Sequence, residues 1–443
     1  MPQPKTVEQT STTLKRSLTV WDLVFYGLIV IQPTAPMPLF GVVSQEAQGH
    51  VVTTILIAMV AMLLTAVSYG RMARVYPSAG SAYAYVRGEF GHFAGYLTGW
   101  GIVLDYLLNP LICTIWCSKA AANVIPIPYV IWAVFFALLF TMLNLRGVET
   151  SAAINRWLAI GMSVVVAYML ICMAQYLAGQ PITPGFFARP FYDPTTFSLP
   201  AVLTGTSIAA LTYIGFDSIS TLSEEVVDPQ RNILRATVLV CVATGLFSGI
   251  EVYAGQLLWP DFRHYPDVDT AYSFVAGRAG KPILFHIVNG TLLIATIGSG
   301  MGSQLGAARL LYGMGRDNAL PSRLFGHVDR KTKIPNYNVM FSGVIALAGA
   351  LSISYQLGAE LLNFGAFLAF TLVNLSAFMH YFVRGKNRTW SYFVLPLAGC
   401  AVCLYIWSNL RWQARLVGFV WLCIGATYAF LRRRSGALRP ASV

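Results

Sequence analysis

Residues 28–40 read Leu28-Ile29-Val30-Ile31-Gln32-Pro33-Thr34-Ala35-Pro36-Met37-Pro38-Leu39-Phe40, three prolines set into an apolar run. Each proline lacks a backbone donor and clashes with the preceding turn, so no continuous α-helix passes through this stretch. Apolar sequence extends on both sides, over roughly 22–48, which is long enough to cross a bilayer with the break inside it. Freed carbonyls at that depth are tolerated only against protein or a wet cavity. A membrane span broken at its middle is therefore expected here.

A second interruption follows the same pattern. Tyr213-Ile214-Gly215-Phe216-Asp217 puts a glycine hinge beside a carboxylate inside the apolar run 199–225. A charge at membrane depth costs a few kcal/mol or more and marks a pathway. Windows of about 20 apolar residues give twelve spans near 22–48, 51–73, 93–122, 127–145, 155–178, 199–225, 233–259, 282–314, 337–354, 359–383, 390–408 and 412–431. The two breaks then fall in spans one and six, which begin two consecutive five-helix blocks. Five is odd, so the second block enters the membrane from the opposite side. Interrupted helices at matching positions of two halves point to an inverted-repeat transporter with its site at the midplane.

Composition agrees with a membrane chain. Of 443 residues, 56% are hydrophobic and 11% charged, and the mean hydropathy is +0.61. A soluble domain carries about a quarter charged residues. With the N-terminus cytoplasmic, 23 of the 30 Lys+Arg fall in inner segments, the exceptions being Lys119, Arg189, Arg263, Arg278, Lys281, Arg411 and Arg415. By the positive-inside rule both termini are cytoplasmic, in the cytoplasmic (inner) membrane of a cell. The net charge of +12 thus reports topology and not a nucleic-acid partner.

Other classes lose ground for lack of motifs. There is no G-x-x-x-x-G-K-[ST] phosphate cradle, since Gly280-Lys281 lacks the earlier glycine and the hydroxyl. The seven cysteines all lie in apolar stretches, and Cys400-x-x-Cys403 has no second ligand pair, so they are expected to be packing residues. Nothing calls for a metal, a cofactor or an enzymatic activity. A removable signal peptide is not expected, because residues 1–20 are polar and no cleavage site follows. A channel would predict a repeated pore loop, and a sensor a sizeable soluble domain; neither is present in the sequence.

Several ordered motifs then carry a family resemblance over roughly 17–430. They are Ser68-Tyr69-Gly70 with Tyr76-Pro77-Ser78-Ala79-Gly80-Ser81-Ala82-Tyr83, Gly99-Trp100 with Leu104-Asp105-Tyr106, and Gly215-Phe216-Asp217 with Leu222-Ser223-Glu224-Glu225 and Asp228-Pro229-Gln230-Arg231. Ala308-Arg309 with Met314-Gly315-Arg316-Asp317, and Asn363-Phe364-Gly365-Ala366, complete the set. The chain resembles amino acid–polyamine–organocation superfamily permeases, in particular bacterial amino acid permeases of the putrescine-importer type. The resemblance implies substrate capture at broken spans one and six, with Asn363 and Phe364 as an outer gate. It also implies a glycine-rich first break, where this chain has Thr34, Ala35 and prolines, and an acid near Pro38, which is missing. The family lysine of span five is missing too, for 157–178 contains no Lys or Arg.

The expected architecture is all-α and membrane-integral. Cytoplasmic tails occupy 1–20 and 433–443, the transport core 21–384 (repeats about 21–178 and 199–384), and two peripheral helices 385–432. Substrate-binding candidates are Gln32, Thr34 and Ala35 at the first break, Tyr213, Phe216 and Asp217 at the second, and Asp105 with Tyr106 in span three, where Asn109 lies one turn on. Asp217 is the first choice for holding a substrate ammonium or a proton. On an α-helix it would share a face with Thr221 and Glu224. Coupling or gating candidates are Asp217, Glu224, Glu251, the one-turn pair Ser299 and Ser303, and Asn363 and Phe364. The expected partners are a small amine or amino acid, a coupling proton or sodium ion, and the lipid bilayer. Proton symport is the expected energy source, since Asp105, Asp217 and Glu251 offer titratable groups without a nucleotide motif; sodium coupling and substrate exchange are the alternatives.

Overall fold

The structure is a computed structural model and describes residues 18–77, 80–146, 152–181, 184–223, 226–316, 320–329, 334–385 and 388–434. Among the described residues every regular element is a helix, apart from a lone parallel bridge between Leu18 and Val226. Among the described residues nine helices are long and apolar enough to cross a bilayer, and Val20–Ile31 and Tyr129–Leu145 are shorter apolar helices. The chain is a multi-pass membrane protein. Outward-facing Trp157, Ile160, Val164, Tyr168 and Ile171 on one helix, and Leu416, Val420 and Ile424 on another, form apolar faces of the kind that a lipid surround covers.

The first half contains α1 (Val20–Ile31), α2 (Phe40–Glu46), α3 (Val51–Val75), α4 (Ser81–Phe90), α5 (His92–Ala122), α6 (Tyr129–Leu145) and α7 (Ala152–Ala178). α1 opens on a capping box: the Asp22 amide donates to Thr19 Oγ1 and the Thr19 amide to Asp22 Oδ2, satisfying two end groups reciprocally. It stops at Ile31 because Gln32 turns to φ 73° and Pro33 follows, whose ring excludes helical geometry at the residue before it. A single 3₁₀ turn, Met37–Leu39, leads into α2. The short helix α4 was not among the expected spans; it bridges α3 and α5.

The second half holds α8 (Leu199–Ala209), α9 (Pro229–Leu258), α10 (Ala271–Arg316), α11 (Ser322–Phe325), α12 (Asn336–Ser352) and α13 (Tyr355–Phe378), followed by α14 (Trp390–Ser408) and α15 (Trp412–Arg434). After α8 come two 3₁₀ segments, Ala210–Tyr213 and Phe216–Leu222, separated at Gly215, whose φ of 123° suits glycine. α10 is two helices meeting at Gly280 and Lys281, the latter at φ 62°, just before Pro282. The span expected from 282 is thus preceded by a further helical segment that begins at Ala271. α13 ends in a π-helical turn, Met379–Val383.

At one end of the bundle α2, α5, α9, α10 and α13 are tied by polar contacts. Gln356 Nε2 donates to Glu46 Oε1 (2.6 Å) and Ser44 Oγ to Gln256 Oε1 (2.7 Å). Lys119 Nζ lies 2.5 Å from Asp269 Oδ2 in the loop before α10. Burial raises the Asp269 carboxyl, and the Lys119 ammonium pulls it back down.

Candidate functional site

The two breaks meet. A cavity of about 190 Å³ lies between them, bounded by Val30–Gln32, Thr34, Ala35, Pro38 and Leu39 from the first and by Leu211, Ile214, Gly215, Asp217 and Ser218 from the second. α5 contributes Asp105, Tyr106, Asn109, Ile112, Cys113 and Trp116, α10 contributes Thr296, Ser299 and Ser303, and α13 adds Tyr355. Of the residues named from sequence, Gln32, Thr34, Ala35, Asp105, Tyr106, Asp217, Ser299 and Ser303 come together here. Trp116, Thr296, Ser218 and Tyr355 were not foreseen. Nothing in their local sequence distinguishes them from core residues; only the rotation of their helices turns them inward.

Local geometry explains how the walls are held. Gln32 Nε2 donates to the Ala295 carbonyl on α10 (3.0 Å), so the first break is pinned to the helix carrying the cavity hydroxyls. The amides of Gln32, Ala35, Met37 and Leu39 already donate to backbone carbonyls at Leu28, Gln32, Thr34 and Pro36. With Pro33, Pro36 and Pro38 lacking an N–H, this break has almost no donor to offer an anion. At the second break the Gly215 amide donates to Asp217 Oδ1 (3.3 Å). Gly306 leaves room for the Tyr106 ring, since a Cβ there would stand 2.8 Å from Tyr106 Cε1. The Trp116 indole N–H is buried and has no partner among the described residues.

Other candidates sit elsewhere. Tyr213 is fully buried and its Oη donates to the Ile55 carbonyl of α3 (2.8 Å). Phe216 packs edge-on against Tyr69 and tilted against Phe370, with ring centroids 5.6 and 5.3 Å apart. Neither lines the cavity, because the chain turns at Gly215 and points successive side chains apart. Residues 216–222 are 3₁₀ rather than α, so side chains align every third residue. Asp217 is therefore in register with Ser220 and Ser223 and not with Thr221; Glu224 lies outside the described residues.

Glu251 is buried within α9, away from the cavity. The Tyr272 hydroxyl donates to its backbone carbonyl (2.8 Å), and its Oε2 has no partner among the described residues. Asn363 donates to the Ser207 carbonyl of α8. Phe364 packs on Trp407 and Phe419 of the last two helices, centroids 4.7 and 5.4 Å away. Phe364, expected at an outer gate, is thus placed outside the cavity lining and against α14 and α15. Phe364→Ala should destabilise purified protein by about 3 kcal/mol, as truncating a buried phenylalanine does, while leaving the substrate KM within about twofold, the scatter of a residue without ligand contact. A large KM rise at unchanged thermal stability would restore the gate. Among the described residues, no group of His, Cys, Asp or Glu could hold a metal ion, and all seven cysteines are free.

Residues 20–432 match the amino acid permease family. The chain is 35% identical over 430 residues to the low-affinity putrescine importer PlaP of Escherichia coli (strain K12), covering 94% of this chain and 93% of that protein. It is 26% identical to the branched-chain amino acid permease BcaP of Lactococcus lactis subsp. cremoris (strain MG1363), with 93% of both chains covered. With the methylthioribose transporter of Bacillus subtilis (strain 168) the identity is 24%, over 97% of this chain and 95% of that one. The chain belongs to the amino acid permease family, and is a secondary transporter rather than an enzyme.

Proposed function

We propose that this permease imports small linear amines, diamines foremost, by alternating access around the cavity between the two broken helices. The observation that carries this is the charge of the cavity wall: Asp105 and Asp217 from two different elements, and no Lys, Arg or His among the lining residues. A buried carboxylate without a cation is costly, and an ammonium at each end of a short aliphatic chain would neutralise both. A zwitterionic amino acid would instead bring a carboxylate to a break whose amides are engaged. The low-affinity putrescine importer among the relatives moves such a diamine. The acid that the resemblance puts near Pro38 is missing here, and Asp105 would take over that task from α5.

The finer architecture is part of the same proposal: twelve spans in a five-plus-five inverted repeat, two peripheral helices, both termini cytoplasmic and the inner membrane as location. Support comes from helix partners. α3 packs on α9, α5 on α10, α6 on α12 and α2 on α8, each pairing a helix with its counterpart in the other half. Import would be proton-coupled, through a carboxylate that carries either a proton or an ammonium. Thermal shifts of detergent-purified protein test the substrate class, because a ligand stabilises the fold by mass action. Linear diamines should raise the unfolding temperature more than monoamines of equal length, and zwitterionic amino acids should leave it unchanged. Stabilisation by amino acids alone would sink the amine proposal.

A further inference from the structure

Helix α4 is held at three points, and each leads to an element of the transport machinery. At its start Ser81, a non-glycine residue at φ 47°, places its Oγ 2.7 Å from Ser220 Oγ in the 3₁₀ half of the second break. At its middle Tyr85 is fully buried and meets Tyr69 edge-on at 6.0 Å. Tyr69 in turn contacts Phe216 and Phe370, and Phe216 directly precedes the cavity carboxylate Asp217. At its end Glu89, with a side chain fully out of solvent, takes Arg384 Nη1 on Oε2 (2.8 Å) and both Tyr76 Oη (2.9 Å) and His380 Nδ1 (2.7 Å) on Oε1. Arg384 Nη2 also donates to the Glu89 carbonyl (3.1 Å).

The placement of these groups is specific. Ala82, Tyr85, Val86 and Glu89 form the buried face of α4, one stripe at helical spacing. Gly88 faces Tyr76, and a Cβ there would come within 2.5 Å of the ring, so glycine lets Tyr76 reach Glu89. His380 belongs to the π-helical turn that ends α13, and Arg384 caps that turn; such turns recur at functional sites. A left-handed serine is strain that the surroundings must hold in place. None of Ser81, Tyr85, Glu89, Tyr76, His380 and Arg384 lines the cavity.

We infer that α4 is a latch for the transport cycle: Glu89 clamps it to the end of α13, and Ser81 and Tyr85 thereby hold the inner half of the second break closed beneath the cavity. The latch builds on the transporter reading above. Release of the Ser81–Ser220 contact accompanies opening of the cavity toward the side where α3 ends, which the charge distribution makes cytoplasmic. Glu89 acts through α4 and is a positioning residue, not a substrate contact.

Two measurements on the full-length protein test this. First, Cys113 lines the cavity and serves as a native reporter in inverted membrane vesicles. Its modification by a membrane-impermeant, charged methanethiosulfonate is followed by peptide mass spectrometry. Glu89→Gln should raise the labelling rate about tenfold, within the ordinary range of such couplings, and Glu89→Asp should lie between the two. Second, oxidation of a Ser81→Cys/Ser220→Cys double variant in proteoliposomes should abolish putrescine uptake, with recovery on reduction, whereas the same oxidant should not change the uptake of either single variant from its value before treatment.

Cross-linking verified by mass spectrometry with undiminished uptake would overturn the latch, as would Cys113 labelling in Glu89→Gln at the wild-type rate. If the wild type moves no putrescine, the substrate reading fails separately. Cys113 labelling needs no substrate and still decides on the latch.

Discussion

Asp217→Asn is expected to lower amine uptake, measured as kcat/KM in proteoliposomes, by about 100-fold, or ~2.7 kcal/mol. The reason is the setting of the carboxylate. It lines the cavity at the point where the second break leaves helical geometry, and its neighbour Gly215 donates to Oδ1. An ammonium moved from water into this site exchanges a hydration shell for a charged hydrogen bond. Removing the partner charge leaves the ammonium uncompensated, which costs about 3–5 kcal/mol in buried pairs. Asparagine keeps the volume and the Gly215 contact, so folding should survive and the loss should lie in recognition. Purified Asp217→Asn protein should unfold near the wild-type temperature while losing its diamine-induced shift. Wild-type uptake by this variant would assign the carboxylate to capping the broken helix and nothing more.

The second large effect concerns packing. Gly365 on α13 lies against the backbone of α5, where an added Cβ would collide with the Gly101 carbonyl oxygen and stand 3.4 Å from the Asp105 amide nitrogen. The obstacle is main chain and cannot swing aside. Gly365→Ala should therefore push α13 and α5 apart, with a loss of about 3 kcal/mol, the upper end of ordinary overpacking. Thermal unfolding of the detergent-purified variant checks this. Because α5 carries Asp105, Tyr106, Asn109 and Trp116, the variant should also bind diamines less tightly. Small residues that bring helices to backbone contact are a recurrent device in membranes. A variant as stable as wild type would mean that the two helices tolerate a wider spacing.

Much of the site was legible in the sequence because its cause is local. Pro33, Pro36 and Pro38 remove donors wherever the chain folds, and Gly215 beside Asp217 marks a hinge at once. Asp105 and Asn109 could be paired from their spacing alone. Phe216 and Tyr213 were misread for the opposite reason. Which way a side chain points after a break depends on the pitch of the next turn, and residues 216–222 wind as 3₁₀ against α3 and α13. Phe364 was misplaced because α14 and α15 cover it, and a sequence does not say which helix faces which. Glu89 escaped notice as one charge in a short connector, since its value lies in reaching His380 and Arg384 almost 300 residues away.

By itself the sequence determined that this is a membrane-embedded helical protein with two interrupted spans and an acidic residue beside the second. Hydrophobicity, missing proline donors and glycine freedom are properties of residues and need no partner. Only the tertiary structure decided that Asp105 and Asp217 share one cavity with Trp116, Thr296 and Tyr355, and that α4 clamps the second break to the end of α13. These depend on how far each helix is rotated and where its neighbour stops. Rotation and register are set by close contacts between distant segments, among them Gly365 on Gly101 and Tyr106 on Gly306.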